Sequence, residues 1–266
     1  MKKLLLILCI LSNSMQIFCS YKESTSQELD FEALKPKIIL AINNEIGLEE
    51  ITKIKNLNPN LFSHFINKHH GDKYGHTFLQ DAIISNNSEK IQRLIYLGAD
   101  VNQEDNDGKT PLHHAALSDT DEIIRLLICA KANINHKDNY GDTPLHNASN
   151  RAVELLIAAG ADINQQNIYG ETPLYCAAGR SAFKIITLLI SAGADITIKD
   201  NVFRRTARDK ICHIKERKWK EPDYITLKIF DLAVTQRKEK LAAATKIQAL
   251  ARGFLARENL KNEIEN

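Results

Sequence analysis

The sequence lacks most of what announces an enzyme. It has no Gly-rich loop that could cradle phosphates, no paired His/Cys spacing for a metal, and no Ser or Cys nucleophile motif. Its five cysteines give no disulfide framework, because Cys9 and Cys19 fall in the first twenty residues and Cys129, Cys176 and Cys212 form an odd set without Cys-x-x-Cys spacing. The two on repeated helices, Cys129 and Cys176, read as small core residues. Leu4–Leu11, an eight-residue apolar run, is too short to span a bilayer. Charge of one sign is lacking overall, with a net of +2, but its distribution is uneven. Residues 1–202 hold 19 Lys and Arg against 24 Asp and Glu; residues 203–266 hold 16 against 9. The tail therefore favours acidic partners over the rest of the chain.

What the chain does have is repetition. Tyr-Gly-His-Thr-Phe-Leu-Gln-Asp-Ala ends at Ala82 and Asp-Gly-Lys-Thr-Pro-Leu-His-His-Ala at Ala115. Tyr-Gly-Asp-Thr-Pro-Leu-His-Asn-Ala ends at Ala148, and Tyr-Gly-Glu-Thr-Pro-Leu-Tyr-Cys-Ala at Ala177. The Thr residues stand at 77, 110, 143 and 172, with an echo at Thr206, so the spacings are 33, 33, 29 and 34. Each unit closes alike, on Gly-Ala-Asp-Val-Asn at 98–102, Lys-Ala-Asn-Ile-Asn at 131–135, Gly-Ala-Asp-Ile-Asn at 160–164 and Gly-Ala-Asp-Ile-Thr at 193–197.

Each unit predicts a turn and two helices. Gly75, Gly108, Gly141 and Gly170 stand where a tight turn needs positive φ. Thr110, Thr143 and Thr172 read as N-caps, followed by Pro111, Pro144 and Pro173 at the first helical position and by Leu112, Leu145 and Leu174 at the start of a buried face. The second helix carries Ile91/Leu94/Ile95, Ile124/Leu127/Ile128, Val153/Leu156/Ile157 and Ile186/Leu189/Ile190 at helical spacing. Gly98, Gly160 and Gly193 read as helix-closing glycines, with Lys131 in their place in the second unit. No single pair can bury its apolar face, but stacked pairs can. The third unit is four residues short, about one helical turn. Two readings stay open: a clipped first helix, or a shortened surface loop.

The 33-residue period with Thr-Pro-Leu-His-x-Ala resembles the ankyrin repeat. The resemblance covers about half of the chain and implies an all-α solenoid of stacked helix-turn-helix units, with hairpin loops on one side and a surface that binds protein. His113 and His146 hold the family's His position, where each ring is expected to bond a Thr hydroxyl and nearby backbone; Gln80 and Tyr175 replace it in the outer units.

Around the repeats the chain divides as follows. Residues 1–20 read as a signal peptide, from Lys2 and Lys3 followed by the short apolar core. Residues 21–72 read as a linker and a helical N-terminal cap or degenerate repeat, because Ile38, Ile39, Ala41, Ile42, Leu48, Ile51, Ile54 and Leu57 follow a helical pattern. His64, His69, His70 and His76 crowd its end without a carboxylate or Cys at suitable spacing, which reads as solvated loop. Residues 73–211 hold the repeats and a C-terminal cap, in which Phe203 stands where Gly was. Residues 212–266 form a basic tail, expected as a long helix interrupted near 237–240.

That tail contains Ile247, Gln248, Arg252, Gly253 and Arg257 in the order of the IQ motif, which it resembles at all five fixed positions. At roughly 5% usage per residue, chance gives such a match about once in a few million starts. Ile247, Leu250, Ala251, Phe254 and Leu255 share one helical face, the pattern of helix-in-groove recognition. The resemblance implies binding to calmodulin or a related EF-hand light chain, with Ile247 in a lobe groove, Gln248 on lobe backbone, and Arg252 and Arg257 on acidic surface. The alternative is an amphipathic helix packed on the stack.

The sequence thus reads as a non-enzymatic, exported interaction adaptor. It is expected to be a monomer, without cofactor or small-molecule substrate and with nucleic acid disfavoured, that acts in a host cell. A periplasmic or surface scaffold with a merely structural terminal helix is the alternative.

Overall fold

The computed structural model describes residues 59–68, 73–214 and 227–236, with scattered residues between 36 and 56 and Glu239. Two compact units divide the chain, residues 1–62 and 63–266. In the first, residues 38–40, 52–53 and 55–56 are helical, where the apolar pattern predicts helix. The apolar positions 41, 42, 48, 51, 54 and 57 lie outside the described residues.

Nine helices lie between residues 59 and 214 of the described chain: α1 Pro59–Ile66, α2 Phe78–Ile84, α3 Ser88–Leu97, α4 Pro111–Leu117, α5 Asp121–Cys129, α6 Asn150–Ala158, α7 Pro173–Gly179, α8 Phe183–Ser191 and α9 Ala207–Ile214. The described residues contain no strand, only an isolated bridge between Lys199 and Thr206. Helices α2, α4, α7 and α9 begin the repeats; α3, α5, α6 and α8 complete them. First helices pack on first helices (α2 on α4, α7 on α9) and second on second (α3 on α5, α5 on α6, α6 on α8).

The short first helices form because their ends are written in. Thr77 caps α2 by accepting a hydrogen bond from Gln80 N at 3.3 Å. Thr172 caps α7 from Tyr175 N at 3.2 Å, and Pro111 and Pro173 open α4 and α7. Seven residues make a marginal helix in water, so packing must hold them. Leu79, Leu112, Ala115 and Leu174 are accordingly sealed from solvent, as are Ile91, Leu94, Ile124, Leu127, Val153, Leu156, Ile186 and Leu189 of the second helices. The third residue of each predicted triplet (Ile95, Ile128, Ile157, Ile190) is only half-buried, at the edge of the stripe. Cys129, expected in the core, is exposed: it lies two positions past buried Leu127, which turns it to the outer face of α5.

Second helices end in one motif. Ala99 N bonds Leu94 O and Gly98 N bonds Ile95 O, and the same pair recurs at Ala132/Lys131, Ala161/Gly160 and Ala194/Gly193. The closing residue is left-handed each time, with φ of 94°, 91° and 96° at the glycines and 69° at Lys131. A side chain there costs about 1–2 kcal/mol, against which glycine's greater unfolded freedom sets about 0.5–1. Lys131→Gly is therefore expected to stabilise the protein by about 1 kcal/mol, read as a higher urea midpoint at unchanged m-value.

In the third repeat it is the first helix that is clipped. Residues 144–147 make one turn, closed by His146 N on Thr143 O at 2.9 Å, and the chain enters α6 directly. Ser149 then does three things: it accepts from Ala152 N at the start of α6, donates Oγ to Ser118 O at 2.8 Å, and donates N to Ala116 O at 2.8 Å. It thereby satisfies carbonyls that the end of α4 leaves open. From the other side Arg180 donates to Asn147 Oδ1 at 2.9 Å and to His146 O at 3.1 Å.

The last turn differs from the sequence expectation as well. The positive φ falls on Arg204, at 55°, and not on Phe203. One extra residue between Asp200 and Thr206 shifts the left-handed position by one. Thr206 and Asp209 then cap α9 reciprocally, Asp209 N on Thr206 Oγ1 at 3.2 Å and Thr206 N on Asp209 Oδ2 at 3.0 Å. Beyond α9, residues 227–236 are helical, with Phe230 fully buried and Asp231 paired to Arg208 at 2.9 Å.

Candidate protein-binding surface

Between repeats the chain runs through hairpin turns, and one side chain builds each. Asp105 Oδ1 accepts from Asp107 N and Lys109 N, both at 2.9 Å. Asp138 does so from Tyr140 N and Asp142 N at 2.9 Å, and Asn167 from Tyr169 N and Glu171 N at 3.0 Å. Asp200 takes Phe203 N and Arg205 N. The signal was in the sequence, as an Asp or Asn three residues before each turn Gly. The sequence marks those loops, but the task of this residue shows only in the folded turn.

The turns are also tied to each other. Asn106 N donates to Tyr74 O at 2.9 Å, Asn139 N to Asp107 O at 2.9 Å, Ile168 N to Tyr140 O at 3.0 Å and Asn201 N to Tyr169 O at 2.8 Å. This close approach requires glycine. At Gly108, φ 76°, a Cβ would meet Asn139 Oδ1 at 2.6 Å and its backbone nitrogen at 2.9 Å. A second ladder runs behind α3, α5, α6 and α8: Asn102, Asn135 and Asn164 accept at 2.7–2.8 Å from Asn133 N, Asp162 N and Asp195 N. Asn67, after α1, does the same for Asp100 N at 2.8 Å.

The motif histidines link the turns to the helices behind them. Thr110 N donates to His113 Nδ1 at 3.1 Å, and His113 Nε2 lies 3.0 Å from Asp142 O in the next repeat. Thr143 N donates to His146 Nδ1 at 3.0 Å, with His146 Nε2 3.2 Å from Glu171 O. A backbone N–H can only donate, so Nδ1 is unprotonated and Nε2 carries the hydrogen. Burial keeps both rings neutral, holding His113 down at about 4 and lowering His146. Gln80 reproduces the arrangement without a ring, its Oε1 accepting from Thr77 N at 2.7 Å and its Nε2 donating to Lys109 O at 2.8 Å. Tyr175 cannot; its buried phenol is pushed up to about 12, first by desolvation and then by Asp200.

Thr110, Pro111, Leu112, His113, Thr143, Pro144, Leu145, His146, Thr172, Pro173 and Leu174 are thus all buried scaffold. What the scaffold presents lies at the turn tips. Tyr74, Tyr140, Ile168, Tyr169, Val202 and Phe203 are 44–61% exposed, on turns held in a row by the ladder. Lys73 sits 4.5 Å over the Tyr74 ring and Arg205 4.8 Å over that of Phe203. Large apolar side chains repeated on one edge make a patch that single exposed residues would not.

Family models for ankyrin repeats match the chain in three overlapping copies, at residues 50–138, 79–167 and 122–200. The chain belongs to the ankyrin-repeat family. The first match begins before the first Thr motif, over α1 and Asn67, which share the ankyrin ladder. A model of the IQ calmodulin-binding motif matches residues 241–261. Ile247, Gln248, Arg252, Gly253, Phe254 and Arg257 fall within it and outside the described residues. No curated protein matches this ankyrin chain. Ankyrin repeats and an IQ motif together support the role of a protein-interaction adaptor.

Proposed function

We propose that the chain is an exported adaptor with two separate binding regions. The hairpin-tip stripe docks one protein, and the IQ segment takes calmodulin or a related EF-hand protein. The observation that carries this reading is the stripe itself: exposed Tyr and Phe side chains on turns held by backbone hydrogen bonds, aromatic types enriched at interfaces. The basic start and eight-residue apolar run of residues 1–20 support export, and export combined with an EF-hand target favours action inside a host cell. The burial of Phe230 and the Arg208–Asp231 pair show that residues 227–236 pack, and a second reading extends such packing to the terminal segment, in a periplasmic or surface scaffold.

Affinity capture from host lysate, with the wild-type chain and a Tyr140→Ser/Tyr169→Ser double variant, tests the stripe. Both tyrosines are about half exposed, so each change is expected to alter stability by roughly half a kcal/mol or less. Proteins held by the wild type should be lost from the variant, since two anchors at about 2 kcal/mol each lower affinity by orders of magnitude. Equal capture by both forms would contradict the stripe.

A further inference from the structure

The strongest unassigned constellation is where the first two repeats meet. His114 Nε2 lies 2.8 Å from Asp105 Oδ2, and His76 Nε2 lies 4.0 Å from the same oxygen. The two imidazoles meet edge to face with centroids 5.2 Å apart, and the three ligand atoms all lie within 4.8 Å of one another. We propose that His76, Asp105 and His114 form a binding site for a borderline divalent transition-metal ion, zinc in the first instance, which clips the first repeat to the second.

Four observations argue for a site over a chance meeting. The donor set is right: two imidazoles and one carboxylate leave a fourth tetrahedral position for water. The spacing is close, since ligand atoms around tetrahedral zinc stand about 3.3 Å apart for bonds of roughly 2.0–2.1 Å. The His114–Asp105 pair, at 2.8 Å, is shorter than this and the His76–Asp105 pair, at 4.0 Å, is longer, so small side-chain rotations bring them to it.

The carboxylate, moreover, is already set in place. Asp105 Oδ1 is used up by Asp107 N and Lys109 N, which fixes the carboxylate plane and aims Oδ2 at the two rings. Its side chain is only 2% exposed, whereas the rings are 14% and 13% exposed, enough for an ion to enter from one side. Finally, the outer contacts suit ligation. Asp81 Oδ1 stands 3.7 Å from His76 Nδ1, on the far side of the ring from Asp105, and Tyr74 stacks on that ring at 5.3 Å. A carboxylate behind a ligating imidazole orients it and raises its basicity. Burial lowers the pKa of His114, so its ring is neutral and able to ligate near neutral pH.

Nor does the repeat require these histidines. His76 stands between the turn Gly and the Thr, where the other repeats have Lys109, Asp142 and Glu171. His114 follows the motif His, where the others have Asp81, Asn147 and Cys176. Both are positions that the scaffold leaves free to vary, yet each holds a histidine where they converge on a buried carboxylate.

The ion would replace the hydrogen bond between His114 Nε2 and Asp105 Oδ2, with the neutral ring carrying its hydrogen on Nδ1 instead. The test is a titration of the untagged full-length chain with cobalt(II) followed by visible absorption, and with zinc followed by calorimetry. One equivalent should bind, giving the intense visible bands of tetrahedral cobalt and a higher thermal midpoint. His76→Gln and His114→Gln should each weaken binding at least tenfold and abolish the midpoint shift. Asp105→Asn keeps the turn's acceptor, so it should stay folded and lose binding too. His136→Gln serves as a control, because His136 pairs with Glu104 at 3.0 Å elsewhere, and it should bind as the wild type does. Circular dichroism establishes that each variant is folded. Absence of the cobalt bands, or equal affinity in wild type, His76→Gln and His114→Gln, overturns the site.

Discussion

Leu112→Ala should cost 3–5 kcal/mol, at the upper end of what a buried leucine is worth (about 2–5 kcal/mol), and Leu145→Ala about 2–3. Both side chains are essentially sealed, at 0% and 1% exposure, so the transfer term is the same. The difference lies in how far each site can collapse. Leu112 sits in α4, between packed neighbours on a capped helix. Leu145 sits in the single turn that replaces a helix, where the backbone has fewer hydrogen bonds to hold a cavity open. Urea unfolding of the two variants reads the difference; changes below half a kcal/mol at both sites would contradict the packing.

His113→Ala should cost about 1–3 kcal/mol, because it leaves Thr110 N buried and unpaired and removes one of the two donors to Asp142 O, which keeps Asp138 N. His113→Gln should cost far less, since Gln80 makes the same two bonds in the first repeat. The glutamine variant also separates hydrogen bonding from charge. The folded chain holds His113 neutral down to about pH 4, whereas the unfolded chain takes the proton near 6.5. Stability is therefore fully present above pH 6.5 and falls as pH drops from there towards 4. For His113 alone the loss is about 3 kcal/mol at 1.36 per unit. His146 and His114, also lowered, act in the same direction, and so do Asp200 and Asp209 at lower pH. Asp138, whose buried carboxyl is raised, opposes them. Melting His113→Gln between pH 7 and 4 should show a shallower decline than the wild type; parallel curves would place the acid sensitivity elsewhere.

The scaffold was legible because it is local chemistry repeated. Thr, Pro and Leu at fixed offsets announce a cap, a first helical residue and a core position, and Gly announces positive φ; all of this can be read within one repeat. What the sequence left open depends on neighbours. Whether the short third unit lost helix or loop turned on Ser149 reaching carbonyls of α4 and Arg180 reaching back from α7. Cys129 reads as core by type and faces outward by two positions of helical phase. The carboxylate that joins His76 comes from the next repeat, 29 residues on, so no local spacing could reveal it.

As proposed, the protein is an adaptor whose tail binds an EF-hand protein apart from the stack. The most direct measurement is calorimetric titration of calmodulin into the chain lacking residues 1–20, with calcium and with chelator. Binding at one to one, with a dissociation constant of a few micromolar or tighter, is expected in both conditions. Ile247→Ala and Gln248→Ala should each weaken it by about 1–3 kcal/mol, through a lost apolar anchor and unpaired lobe groups respectively. Arg252→Gln and Arg257→Gln should instead flatten its dependence on salt. Binding no tighter than tens of micromolar in either condition, roughly −6 kcal/mol, would contradict the claim and leave the terminal segment a packing element.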